Sequence, residues 1–362
     1  MGKRINSAVW MEKYNRWQIK VQKDNERKTF YSSKPGRAGL RECNKKADAW
    51  LDDNITDTSK RCDYWLDKYV ARAKLATSKS NWRAVKNHVD KYIRPRIGNK
   101  KFSQLTENSF QAILDKAYAN SDPKLSKKTL ENIRATIKSF VKFCRKEKVT
   151  TMHLEDLTIA AAARTKEKEI LQPDDLLTLF KVNTTQLNGK IVFDDYIHAY
   201  RFQVLTGLRP GELRGLKRSD ISGKTVSLKR ARNTFNEITT GKNENALRTF
   251  TLSDMAYIEL QHQLILFPDS EYIFPFSQPN YLKRWNRYCE TNGMNIISTY
   301  EMRHTFVSIA KHLPEGMVKQ LVGHSADMDT FGVYGHELKG ESQQVANELN
   351  SIFTGLLSKQ SS

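Results

Sequence analysis

Cysteine is scarce and scattered. The four present, Cys43, Cys62, Cys144 and Cys289, form no CxxC or CxxH pair. That spacing argues against a zinc site and against a disulfide framework, and it reads as reduced thiols in a cytosolic protein. Long apolar runs are missing too: none reaches the roughly 18 residues that a membrane helix needs. The basic start, Met1-Gly2-Lys3-Arg4, lacks the apolar stretch of a secretory signal, and Asn6 stands where a myristoylation signal needs Ser or Thr. Neither GxGxxG nor GxxxxGK[ST] occurs, so no loop of this kind cradles nucleotide phosphates. Internal repeats and low-complexity segments are absent. The expectation is a cytoplasmic chain with no membrane segment, no metal and no cofactor.

Positive charge is abundant. Sixty Lys and Arg face 40 Asp and Glu, a formal net charge of +20 over 362 residues. The excess is uneven: +6 in residues 1–60, +14 in 61–168 and zero in 169–362. A phosphate-rich polymer is the natural partner of such a front half. Length allows two or three domains, and 39% hydrophobic residues suffice for real cores.

The pattern predicts a multidomain, mainly α chain. Residues 1–55 read as a three-stranded sheet plus a helix, with strands at 7–12, 16–22 and 27–32 and a helix over 40–51. Arg16, Lys20, Arg27 and Lys28 lie near the face of that sheet, which could enter a major groove. Residues 56–160 read as a helical bundle with helices beginning near Cys62, Ser78, Asn108 and Ser126. Its last helix buries Leu130, Ile133, Ile137, Phe140, Val141 and Cys144 and turns Lys138 and Lys142 outward. Arg94, Arg96, Lys100 and Lys101 form its densest basic cluster, read as a loop punctuated by Pro95 and Gly98. These cations are candidate phosphate contacts, which position a protein on DNA without reading its sequence. An alanine-rich linker follows at 156–170. Residues 170–362 read as a mixed, mostly helical domain with a small sheet, including strands at 225–228 and 249–252.

That last domain carries the chemistry. Thr206-Gly207-Leu208-Arg209-Pro210-Gly211-Glu212 is followed by Lys242, then Tyr300-Glu301-Met302-Arg303-His304, then Val322-Gly323-His324, and Tyr334 ten residues on. The order and spacing resemble the tyrosine recombinase family of phage and conjugative-element integrases. The resemblance spans about residues 170–340, and the basic front modules fit that family's arm-binding and core-binding DNA domains.

The resemblance implies roles. Arg209 and Arg303 would clamp a phosphodiester through guanidinium forks that stay charged, with Glu212 as buttress. Lys242, in a hairpin, would protonate the leaving 5′ oxygen, with Lys224, Lys229 and Arg248 as rivals for that role. His324 would donate to a non-bridging oxygen, and Tyr334 would be the nucleophile. Tyr300 departs from the pattern, because the family has a histidine three residues before the second arginine. A phenol there can hydrogen-bond a phosphate, but with a reference pKa near 10 it shuttles protons poorly at neutral pH. The product would be a 3′-phosphotyrosine, resolved by strand transfer without ATP. Implied partners are double-stranded DNA at core and arm sites, three further copies in a tetramer, and an accessory DNA-bending protein or excisionase. Implied surroundings are a bacterial host's cytoplasm and nucleoid. The competing readings are a type IB topoisomerase-like enzyme and a non-catalytic architectural DNA-binding protein. Val345, Leu349, Ile352, Phe353, Leu356 and Leu357 form a final apolar stripe that either packs on its own domain or docks on a neighbouring copy.

Overall fold

A computed structural model describes residues 6–23, 26–52, 60–165, 167–240, 247–323 and 340–358. The chain divides into two compact units, 1–166 and 167–362.

The first unit opens with an antiparallel sheet in the order β1-β2-β3, formed by Val9–Met11, Arg16–Lys23 and Glu26–Ser32. Alternation sends Ile19 and Val21 inward and leaves Lys20 exposed. Helix α1, Gly36–Asp52, closes this small core with Cys43, Ala47, Trp50 and Leu51.

A second core in the same unit is built by α2 (Cys62–Ala76), α3 (Lys79–His88), α4 (Arg94–Ile97), α5 (Glu107–Ala119) and α6 (Lys127–Lys146). Ser78 and Ser126 cap α3 and α6 by accepting from the backbone N–H groups of Asn81 and Thr129, as short hydroxyl side chains do at an N-cap. The expected apolar stripe of α6 is buried.

Two expectations change. The supposed loop at Arg94 is the helical turn α4, because Pro95 suits a first turn and Ile97 is buried beneath it. The first part of the expected linker is packed rather than free: Leu157 and Ala163 enter the core. The basic face of α6 straps this segment down, with Arg134 Nη1 donating to Leu157 O at 3.1 Å and Lys138 Nζ to Glu155 O at 3.3 Å.

The second unit begins with α7 (Pro173–Lys181), its first turn held by Asp175. A hairpin of β4 (Thr184–Leu187) and β5 (Lys190–Phe193) follows. Asn188 and Gly189 turn it with φ of 50° and 76°, the left-handed pair such tight turns need. Next come α8 (Ile197–Thr206), α9 (Pro210–Gly215), β6 (Ile221–Ser222) and β7 (Thr225–Leu228). The pair β8 (Ala231–Arg232) and β9 (Ile238–Thr239) precedes β10 (Arg248–Thr251). The sheet order is β10-β7-β6, with Phe250 opposite Val226.

The remaining helices are α10 (Asp254–Leu266), α11 (Gln278–Thr291), α12 (Glu301–Ile309), α13 (Glu315–Val322) and α14 (Glu341–Ser358). Phe202, Phe274, Trp285, Tyr288 and Phe306 fill the centre. The final stripe packs on its own domain: Val345, Leu349 and Phe353 enter this core. Each such burial is worth about 1.5–3 kcal/mol. Ser342 Oγ and Asn350 Oδ1 also accept from the N–H groups of Thr251 and Met255, both at 3.1 Å.

Candidate active site

Every residue of α8 is buried, so the helix forms a fixed platform. It ends at Gly207, whose φ of 64° only glycine adopts without strain. A Cβ there would stand 2.4 Å from the Phe306 ring. The chain then places Leu208 in the core and presents Arg209 at the start of α9.

Arg209 is positioned by Glu212, one turn on. Its N–H donates to Glu212 Oε2 at 3.0 Å and its Nη1 to Oε1 at 2.6 Å. Glu212 is 2% exposed and also accepts from Arg248 Nη2 at 3.2 Å. Burial pushes the Glu212 carboxyl up, but Arg248 first and Arg209 after it outweigh burial, so it stays below its ordinary range. Arg303, on α12, is 2% exposed and donates Nη1 to Gly207 O at 3.0 Å.

The three arginines meet at the C-terminus of α13. Arg248 Nε donates to Leu321 O at 2.7 Å, Arg303 Nη2 to Val322 O at 2.6 Å, and Arg209 Nη2 to Gly323 O at 3.1 Å. A helix C-terminus leaves carbonyls unpaired and carries partial negative charge, so three cations satisfy it. Gly323 ends the helix with φ of 61°, which explains a glycine before His324. Burial, and then the like charge of Arg209, push Arg303 down to about 10, so it remains charged at neutral pH. Three guanidiniums around one carboxylate leave an excess of two positive charges, suited to a phosphate.

Gln203 ties the two arginine-bearing segments together. Its Nε2 donates to Leu208 O at 3.0 Å and to Thr299 O at 2.8 Å, while its Oε1 accepts from Tyr281 at 2.7 Å. Leu208 precedes Arg209 and Thr299 precedes Tyr300, so one buried amide fixes both approaches. Tyr300 is 45% exposed at the head of α12, its ring edge-on to His304 at 5.6 Å.

The structure thus brings together Arg209, Arg303 and Glu212 and sets Tyr300 at the start of the same helix as Arg303. Lys242, His324 and Tyr334 lie outside the described residues. Arg248 and Gln203 are members that sequence reasoning misses. Arg248 enters it only as a rival of Lys242, because its partners Glu212 and Leu321 lie far along the chain. Gln203 carries no distinguishing local signal, since α8 also holds His198, Arg201 and Thr206 as buried polar side chains.

The front-half candidates divide. Lys20, Arg27, Lys28, Arg96, Lys100, Lys101, Lys138 and Lys142 are exposed, with Lys138 in the strap described above. Arg16 is half-buried, its guanidinium 4.0 Å from the Tyr31 ring centroid and 5.0 Å from that of Tyr14. Arg94 is committed to Asp63, Asp67 and Asp90 at 3.0, 2.7 and 3.2 Å. Those three acids more than neutralise it, so its place is in the domain's own structure.

Residues 169–341 match the phage integrase family. That segment contains every catalytic candidate named above, from Arg209 to Tyr334. The chain carries a phage integrase family domain over these residues, and that domain marks it as a tyrosine-type site-specific recombinase. Its fold agrees with solved integrases. A fragment of the Tn1549 transposon integrase in complex with transposon right end DNA is 16% identical, with a TM-score of 0.60 over 77% of this chain and 97% of that one. A lambda integrase tetramer bound to a Holliday junction gives 15% and 0.59, over 89% and 96%. A lambda integrase dimer bound to a core site gives 15% and 0.56, over 93% and 99%. No curated protein sequence is a significant match.

Proposed function

We propose that Arg209 and Arg303 hold the non-bridging oxygens of a scissile phosphodiester in double-stranded DNA while Tyr334 attacks phosphorus. The observation that carries this reading is the docking of Leu321, Val322 and Gly323 on Arg248, Arg303 and Arg209. It makes the chain enter the His324–Tyr334 segment from the cationic cluster itself. The Tyr334 oxygen gives up its proton to water and bonds to phosphorus. The bond to the 5′ oxygen breaks, and Lys242 supplies the proton that makes it a hydroxyl. His324 and Tyr300 donate hydrogen bonds to phosphate oxygens, because a phenol at position 300 serves better as a donor than as a base. A 5′ hydroxyl from a partner strand then attacks the 3′-phosphotyrosine. One ester replaces another at each step, so no nucleotide is consumed.

The three-part division at 1–55, 56–160 and 170–362 assigns arm-site and core-site binding to the two front modules. Their exposed cations, Lys100 and Lys101 among them, would contact backbone phosphates. Exchanging both strands of two duplexes needs four cuts, and each copy has one nucleophile, so the working assembly is a tetramer. An accessory DNA-bending protein or excisionase would select direction. No described helix is long and apolar enough to cross a membrane, and the cytoplasm and nucleoid, where DNA lies, are the proposed site of action.

A suicide substrate nicked beside the scissile phosphate tests the chemistry. Wild type should trap a covalent adduct and Tyr334→Phe should not. If wild type traps nothing on its attachment sequence, the architectural reading replaces this one. Relaxation of supercoils on DNA without such a sequence would favour the topoisomerase reading.

A further inference from the structure

A second cluster of functional side chains lies away from the arginines, where α8 packs against α10. His198, near the start of α8, points its Nδ1 at Glu259 Oε2 on α10 at 2.6 Å. His262, one turn beyond Glu259, brings its ring centroid to 4.9 Å from that of His198. One donor atom from each of the three lies within 4.8 Å of the others. His198 and Glu259 are both 8% exposed, whereas His262 faces solvent.

We infer that His198, Glu259 and His262 form a binding site for a first-row divalent transition ion such as Zn²⁺. Glu-x-x-His on one helix facing a ligand on the next is a donor arrangement that helical cores use for metals, and two imidazoles with one carboxylate suit Zn²⁺ or Ni²⁺. A tetrahedral ion with ligands at about 2.0–2.2 Å needs donors roughly 3.4 Å apart. The buried pair, at 2.6 Å, stands closer than that and opens by about 0.8 Å to admit the ion, and the exposed His262 closes the set by rotating its side chain. The ion takes the place of the direct His198–Glu259 hydrogen bond.

The neighbouring cation does not occupy the site. Arg201 donates Nε to Leu179 O at 2.7 Å and Nη2 to Val182 O at 3.2 Å and Asn183 Oδ1 at 2.5 Å. Only its Nη1 approaches Glu259, and it does so on the other oxygen, Oε1, at 3.6 Å. A carboxylate steadied on one oxygen and free to ligate with the other is the usual outer support of a metal site. Bound there, the ion would staple α8 to α10 and stiffen the platform that carries Gly207. This site is independent of the recombinase chemistry, which has its own test above.

The full chain, stripped with a chelator and incubated with Zn²⁺, should retain about one ion per chain through gel filtration and melt at a higher temperature than the stripped protein. Co²⁺ in its place should give the intense visible bands of a four-coordinate site. His262→Ala, an exposed change, should leave the stripped protein's melting temperature unchanged and weaken Zn²⁺ binding by at least about tenfold. Glu259→Gln should abolish retention. If wild type retains no ion, or His262→Ala retains as much as wild type, the site does not exist.

Discussion

The two ends of this chain use positive charge in opposite ways. Residues 1–168 carry the whole formal excess of +20 and residues 169–362 carry none, yet every proposed catalytic residue lies in the neutral part. Arg94 and Arg209 show why. Arg94, in the basic unit, has a side chain 30% exposed and is surrounded by three carboxylates. Arg209, in the neutral unit, is 17% exposed and shares its single carboxylate with Arg248. Net charge reports long-range attraction. What makes a guanidinium able to seize a phosphate is burial together with too few acids nearby.

That contrast can be broken experimentally, most severely at Arg303. Arg303→Ala should lower single-turnover cleavage of a nicked substrate by at least about 10²–10³-fold, and Arg303→Lys should restore little, since an ammonium cannot span Gly207 O and Val322 O. Arg94→Ala should leave that rate unchanged. Next in size is Glu212→Gln, which strands buried arginines and should cost about 3–5 kcal/mol in denaturant unfolding. The exposed counterpart Asp67→Asn should cost no more than about 1 kcal/mol. Because the Glu212 carboxyl is held below its ordinary range, its contribution is complete above that range and lost as pH falls through the folded value. Glu212→Gln should therefore flatten the acid limb of the stability curve.

Gln203→Leu should cost about 1–3 kcal/mol by leaving the Leu208 and Thr299 carbonyls unpaired. It should also slow cleavage more than it weakens DNA binding. The smallest effect belongs to the front. Lys100→Ala with Lys101→Ala should leave melting unchanged and make log affinity fall less steeply with log salt, by about 0.9 for each phosphate that the lysines neutralise.

Much of this was legible because local chemistry repeats. Ser78 and Ser126 mark helix starts, the apolar stripe from Leu130 to Cys144 marks a buried face, and the spacing from Arg209 to Tyr334 carries the family resemblance. The misses have physical causes. Arg248 meets Glu212 and Leu321 across 36 and 73 residues of chain, a tertiary approach that no local pattern encodes. Pro95 and Gly98 signal a break, but Ile97 had a core to enter, so a helical turn formed. The segment after α6 looks like a linker until Leu157 and Ala163 find apolar surface. The β4–β5 hairpin could have been found, since Asn188-Gly189 is the dipeptide such turns prefer.

The central claim is that a buried trio of arginines readies one phenol to cut DNA. It is tested most directly by incubating wild type, Tyr334→Phe and Arg209→Ala with a nicked attachment-site duplex and counting covalent adducts on a denaturing gel. The account predicts adduct for wild type alone, with all three proteins binding the duplex. Adduct formed by Tyr334→Phe at the wild-type level would contradict it.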